Sequence, residues 1–227
     1  MNVVITGASR GLGFGFVQHY LDQGCDVWAS YHSGPDQLAS IDSKSLHTFP
    51  LDITEEKPAS FFDGIGLPDR VDLLINNAGI YGPKKDAGQS LTSVTAEAML
   101  TVFDVDCVGP LRVVQALLPR IVRAKGKIAN VSSKMGSSGD NSSGGSYAYR
   151  AAKAGLVIVS KSMAIDLAPE GVGVITLHPG WVRTEMTGYG GLIDVAQSVA
   201  GMTRVIEELE RYEVGAFVAY DGQVVPY

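Results

Sequence analysis

The chain begins with a short β-branched run, Val3–Thr6, and turns at once through Thr6-Gly7-Ala8-Ser9-Arg10-Gly11-Leu12-Gly13 into the amphipathic stretch Leu12–Gln23, which stops at Gly24. A glycine-rich turn between a first strand and a first helix is a strong constraint. Without Cβ atoms the backbone can bend sharply and approach a bound group closely, and the free N–H groups and positive end of the helix then favour an anion at that point. A plain glycine turn is the alternative reading. The turn's place at the start of a strand–helix–strand unit favours the phosphate cradle.

The same alternation continues along the chain. Strands are expected at Val27–Tyr31, Leu46–Asp52, Val71–Asn76, Lys127–Ser132, Gly173–Leu177 and Ala216–Tyr220, with helices over Ala96–Ala124 and Tyr147–Leu167. Pro110 and Pro119 should kink or break the first of these helices. Val71–Asn76 is almost continuously apolar, as strands covered on both faces tend to be. The pattern predicts an α/β protein: a single-domain Rossmann fold over residues 1–227, with a doubly wound, mostly parallel seven-stranded sheet and helices on both faces. The glycine/serine segment Gly136–Ser146 reads as a loop inside that domain, since strand and helix patterns resume after it.

Composition narrows the function. Eighteen basic residues against 24 acidic ones leave a net charge of −6, which argues against a nucleic-acid or membrane-surface partner. Cys25 and Cys107 offer neither a disulfide framework nor a CxxC site, and the four histidines have no metal-ligand spacing, so no metal is expected. No secretory signal or membrane-spanning run is visible, and a cytoplasmic location is the expectation.

The end of the second strand bears on which dinucleotide binds. An NAD site usually places an acid there for the ribose 2′-hydroxyl. Here the residues are Ser30, Tyr31, His32 and Ser33, with no carboxylate before Asp36. Arg10 carries a fixed positive charge able to pair with a 2′-phosphate, and His32 offers a second donor. NADP(H) is therefore expected in preference to NAD(H), the alternative being that Arg10 points into water.

Six motifs in one order resemble the short-chain dehydrogenase/reductase family. They are Thr6–Gly13 (TGxxxGxG), Asp52-Ile53, Asn76-Asn77-Ala78-Gly79, Ser132-Ser133, Tyr149…Lys153 (YxxxK) and Pro179-Gly180-Trp181-Val182-Arg183-Thr184. The extended loop between Ser133 and Tyr149 and the short C-terminal segment are similar to those of carbonyl-reductase-like enzymes and C-factor proteins. The resemblance implies a cofactor site formed by Gly7, Ser9, Arg10, Gly11, Leu12, Gly13, Tyr31, His32, Asp52, Ile53, Asn77, Ala78, Gly79, Tyr149, Lys153, Pro179, Gly180, Val182 and Thr184. It also implies pairing of copies as a homodimer or homotetramer through the two long helices.

The implied catalytic residues are Ser133, Tyr149 and Lys153, and their chemistry can be argued directly. Positions i and i+4 share a helix face, so Lys153 lies one turn beyond Tyr149. An ammonium there favours phenolate and should pull the tyrosine pKa down from about 10. Tyr149 then serves as general acid to a carbonyl oxygen or as general base to an alcohol, with Ser133 hydrogen-bonding the same oxygen. Tyr/Lys pairs at this spacing also occur on exposed helix faces. Tyr147 is a poor rival for the acid, because position 151 is alanine. One departure stands out: Asp106 occupies the position where the family usually has an asparagine that supports a proton relay to the lysine. An ionised Asp accepts hydrogen bonds but donates none.

The expected activity is thus interconversion of a small-molecule carbonyl and alcohol by hydride transfer. A non-catalytic dinucleotide-binding regulator of the C-factor type is the alternative. Retention of all three of Ser133, Tyr149 and Lys153 favours the enzyme. Substrate choice should lie in loop 136–146, the segment after Thr184 and the residues near Tyr81–Asp86, where loops rather than the sheet set specificity.

Overall fold

The computed structural model describes residues 1–57, 59–83 and 88–227. Seven strands form one sheet: β1 (Asn2–Ile5), β2 (Asp26–Tyr31), β3 (Leu46–Pro50), β4 (Leu73–Asn76), β5 (Lys127–Val131), β6 (Gly173–His178) and β7 (Phe217–Ala219). Their spatial order is β3-β2-β1-β4-β5-β6-β7, and every neighbouring pair is parallel. The sheet expected to be mostly parallel is therefore wholly so.

Helices α1 (Gly11–Asp22), α2 (Ala59–Gly64), α3 (Ala96–Phe103), α4 (Gly109–Ala124), α5 (Tyr147–Leu167) and α6 (Val195–Glu207) cover the two faces. Successive strand residues point to opposite sides, and the core divides accordingly. Val3, Ile5, Leu73 and Ile75 pack with Phe16, Val17 and Tyr20 of α1 and with Val199, Met202 and Val205 of α6. Val4 and Leu74 pack on the other side with Val113, Leu117 and Ile121 of α4 and Met163 of α5. Both faces of the central strands are dry, which explains their uninterrupted apolar sequence.

The expected helix Ala96–Ala124 is two helices joined by a π-helical turn, Asp104–Val108. Pro110 sits in the first turn of α4, where a missing N–H costs nothing, and the chain runs on through Pro119 without ending. The break thus falls just before Pro110. Its effect is to turn Asp106 and Cys107 into the interior. Helices α2 and α6 are not among the expected elements, although Val195, Val199, Met202, Val205 and Ile206 give α6 a helical apolar spacing. Its start is marked by Asp194, whose carboxylate accepts from the Gln197 amide at 2.7 Å.

Because all strands are parallel, the segments leaving β1, β4, β5 and β6 emerge at one edge of the sheet. From β1 the chain winds outward to β2 and β3, then returns to start β4 on β1's other side. That reversal opens a crevice at the carboxyl ends of β1 and β4, where ligands of doubly wound sheets bind.

Candidate active site

The glycine turn after β1 is held from the next strand. Asn77 Nδ2 donates to the carbonyls of Thr6 and Gly7 at 3.0 and 2.9 Å, and the Asn77 and Ala78 amides donate to Thr6 Oγ1, each at 3.1 Å. Gly7 has φ +62°, and a Cβ there would meet Ala78 Cα at 2.7 Å. A Cβ on Gly13 would run into the carbonyl of Gly7. Side chains are excluded at both positions, so a close backbone cradle forms at the start of α1, with no acid in its first turn. The cradle suits a pyrophosphate.

Thr184 comes across from the segment after β6 and lies 3.7 Å from where a Gly11 Cβ would be. Ser198 Oγ of α6 donates to the Pro179 carbonyl at 2.6 Å and pins this segment. At the outer end, the exposed Arg10 guanidinium is 3.3 Å from Glu185 and 4.0 Å from Asp36. His32 Nε2 lies 3.5 Å from Asp52. Hydrogen bonds from the Thr54 hydroxyl and amide hold the Asp52 carboxyl below the usual range, with a smaller pull from His32. Tyr31 and Val182 are the half-buried and buried neighbours on this side, and Ile53 is buried against Gly109. Lys84, Lys85 and Asp86, part of the expected substrate-shaping segment, lie outside the described residues.

The opposite end contains the reactive groups. Helix α5 turns Tyr149 and Lys153 inward, while Tyr147 stays on the outer side and is 38% exposed. Lys153 Nζ donates to the Val131 carbonyl at 3.1 Å and lies 3.3 Å from Asp106 Oδ2, whose residue is fully buried. Asp106 Oδ1 accepts from the Ile80 amide at 2.8 Å. Ser132 is a brace, its hydroxyl donating to the Lys153 carbonyl at 3.0 Å. Ser133 is the buried residue beside Tyr149.

Burial pushes the Tyr149 phenol above its ordinary value. Lys153 and the Ser133 hydroxyl pull it down, and Asp106 and Tyr81 push it up again. The lysine acts in the expected sense, but desolvation and the Asp106 charge outweigh it, so the phenol keeps its proton at neutral pH. Burial also raises Asp106 against the pull of Lys153 and the Ile80 amide. Burial works against the charge on Lys153, yet Asp106 and Tyr149 outweigh it and keep the ammonium protonated. Cys107, next to this pair, is pushed up to about 11 by burial and stays a thiol.

His178 at the end of β6 accepts from the Lys134 amide through Nδ1 at 3.2 Å, and burial, aided by the Lys134 charge, drops its pKa to about 4. The neutral ring is the folded form. Between pH 6.5 and 4 the unfolded chain binds a proton that the folded one does not, so stability falls as pH falls through that window. The contribution is roughly 3 kcal/mol. Urea titrations from pH 7 to 4 should show a steeper loss for the wild type than for His178→Gln, and equal slopes would contradict the assignment.

A doubly wound parallel sheet with a glycine cradle at its switch point defines a dinucleotide-binding α/β protein. The short chain dehydrogenase family profile matches residues 1–190, and the chain belongs to that family. The C-signal protein of Myxococcus xanthus is 43% identical over 158 residues, covering 69% of this chain and 93% of that one. A 1-hydroxy-2-glutathionyl-2-methyl-3-butene dehydrogenase of a Rhodococcus species is 29% identical over 97% of this chain and 96% of its own. Among solved structures, the carbonyl reductase Sniffer of D. melanogaster superposes with TM-score 0.91 at 29% identity, over 100% of this chain and 99% of that one. The NADPH-bound carbonyl reductase from chicken fatty liver gives 0.88 at 31%, over 100% and 98%. The protein is accordingly a short-chain oxidoreductase of the kind that acts on carbonyl and alcohol groups with a nicotinamide dinucleotide. Among the described residues no helix is long and apolar enough to cross a membrane, and no cluster of His, Cys, Asp or Glu is placed to hold a metal.

Proposed function

We propose that the protein is an NADP(H)-dependent carbonyl reductase in which Tyr149 delivers the proton to the substrate oxygen. The observation that carries this reading is a buried phenol that keeps its proton, one turn from a buried ammonium that can stabilise the phenolate left behind. Ser133 assists by hydrogen-bonding the oxygen as it gains charge. Lys153 has a second task, holding the nicotinamide ribose. Asp106 fixes Lys153 and the Ile80 backbone and offsets part of the lysine's charge. When bound, the cofactor supplies the hydride.

Gly7, Ser9, Gly11, Leu12 and Gly13 are suited to the pyrophosphate, Asp52 and Ile53 to the adenine, and Asn77, Ala78 and Gly79 to the middle of the cofactor. Pro179, Gly180, Val182 and Thr184 suit the nicotinamide end. Tyr31, His32 and Arg10 surround the adenosine ribose. The NADP preference rests on Arg10, whose present partners, Glu185 and Asp36, are solvent-screened single charges that a 2′-phosphate dianion displaces. Arg10→Ala should weaken NADPH roughly tenfold and leave NADH nearly unchanged in fluorescence titrations. Equal losses for both would show that Arg10 does not read the phosphate.

Self-association through α3–α4 and α5 belongs to the same reading, supported by the exposed side chains of Leu100, Ile158 and Ile165 on these helices. Sedimentation showing a monomer at all concentrations would overturn it. The activity itself is tested by NADPH consumption with a panel of aldehydes, ketones and quinones. The similarity to C-signal favours a second reading, a cofactor-binding signalling protein. Tight NADPH binding with no turnover on any carbonyl would select it.

A further inference from the structure

Helix α5 begins with its usual cap missing. Ser146 occupies the N-cap position, but its backbone is left-handed (φ +52°) and its side chain makes no capping bond. The hydroxyl is engaged elsewhere, 2.7 Å from the Tyr81 hydroxyl. The first N–H groups of any helix still need acceptors. Here they come from a residue sixty positions earlier. Gln89 Oε1 accepts from the Tyr149 amide at 3.0 Å, and the Gln89 carbonyl accepts from the Tyr147 amide at 3.4 Å.

The same side chain reaches a second element. Gln89 Nε2 donates to the carbonyls of Tyr81 and Pro83, at 2.6 and 2.9 Å. Gln89 is fully buried, and both amide hydrogens and its oxygen are used. A buried primary amide is costly unless all its bonds are made, and making them in one geometry is what gives such a group its power to fix structure. The ring of Tyr81, whose backbone carbonyl Gln89 holds, is 4.9 Å, centroid to centroid, from the ring of Tyr149. Gly82, next in the chain after Tyr81, is in the left-handed region (φ +83°), and a Cβ there would meet Val102 Cγ2 at 2.5 Å, so the turn requires glycine.

We infer that Gln89 is a positioning residue for the proton donor: it caps the helix that carries Tyr149 and holds the backbone of Tyr81 beside that phenol, joining the substrate-side wall to the general acid. The inference rests on the proposed carbonyl-reductase reading for its kinetic consequence, but not for its structural one. Tyr81 then has a defined role as well, as the ring that sets the width of the space beside the Tyr149 hydroxyl.

Two variants of the whole protein test this. Gln89→Met keeps the volume and makes none of the three side-chain bonds. Gln89→Glu keeps the acceptor for the Tyr149 amide and, protonated in this buried place between two carbonyls, keeps at most one of the two donors to Tyr81 and Pro83. Hydrogen exchange followed by mass spectrometry on the peptide spanning Ser146–Lys153 should be about tenfold faster at the first turn in Gln89→Met and near the wild-type rate in Gln89→Glu. In kinetics with NADPH and the best carbonyl from the panel, both variants should raise KM, because Tyr81 is released. Only Gln89→Met should also lower kcat, by about tenfold. NADPH affinity should stay within twofold of wild type in both, since Gln89 touches nothing on the glycine-loop side.

Unchanged exchange in Gln89→Met overturns the cap. A kcat loss matched by an equal loss of NADPH affinity, or shared by Gln89→Glu, overturns the positioning role in favour of general loosening. If the wild type reduces no carbonyl, the functional reading fails, and the exchange comparison still decides whether Gln89 holds Tyr149.

Discussion

Tyr149→Phe is expected to lower carbonyl reduction by roughly 10²–10⁴-fold, the usual cost of losing a general acid, while NADPH binds as in the wild type. The substitution removes one oxygen and keeps a ring that packs against Tyr81. Ser133 and Lys153 remain in place, so any residual rate measures what they contribute without a proton donor. Tyr147→Phe is the matched control. Its ring lies on the outer side of α5, no lysine follows one turn later, and its rate should be within twofold of the wild type. An active Tyr149→Phe together with an inactive Tyr147→Phe would show that the acid has been assigned to the wrong residue.

Lys153→Met should cost both activity and stability, for separable reasons. The ammonium lies 3.3 Å from a fully buried carboxylate, and removing one member of such a pair leaves the other charge without compensation. Losses of about 3–5 kcal/mol are typical, which for a chain of this length corresponds to a melting temperature lower by on the order of 10 °C. Turnover should fall with it, since in the proposed mechanism the main stabiliser of the Tyr149 phenolate and the group that holds the ribose are both lost. Adding Asp106→Asn removes the stranded charge, so the double variant should recover most of the melting temperature and none of the turnover. Recovery of turnover would mean that Lys153 acts only as a structural partner of Asp106.

Asp106→Asn alone has a different signature. The Asp106 charge raises the Tyr149 pKa, and its removal leaves only burial and Tyr81 to oppose the pull of Lys153. In the proposed mechanism reduction needs the protonated phenol and is lost as pH rises through its pKa. The alkaline limb of the rate profile should therefore move to lower pH in this variant. A limb that stays put, or moves upward, contradicts the coupling.

Much of this was legible in the sequence because it is local. Helix α5 spans the expected Tyr147–Leu167, since its apolar face and glycine-rich approach are both local signals. The glycine turn, the strand cores and the inward face shared by Tyr149 and Lys153 follow from spacing alone. The π-helical turn does not. Residues 104–108 (Asp-Val-Asp-Cys-Val) are weak helix formers followed by Gly109 and Pro110, which hints at an interruption of the ladder there but not at its π-helical form. The rise in the Tyr149 pKa was also out of reach, because it depends on how completely the phenol is desolvated, a property of the packed protein rather than of the YxxxK spacing. Gln89 is the clearest case. An isolated glutamine after a glycine carries no signal, and its role exists only because the fold brings it to a helix start sixty residues away.

The most direct test of the account is transfer of deuterium from NADPH labelled at nicotinamide C4. Incubated with an accepted ketone, the wild type should place one deuterium on the carbinol carbon of the product, with one face of the labelled nicotinamide used throughout. Tyr149→Phe should bind the same cofactor and form product at no more than about a hundredth of that rate. Product without deuterium, or NADPH bound with no alcohol formed from any carbonyl offered, would contradict hydride transfer at this site.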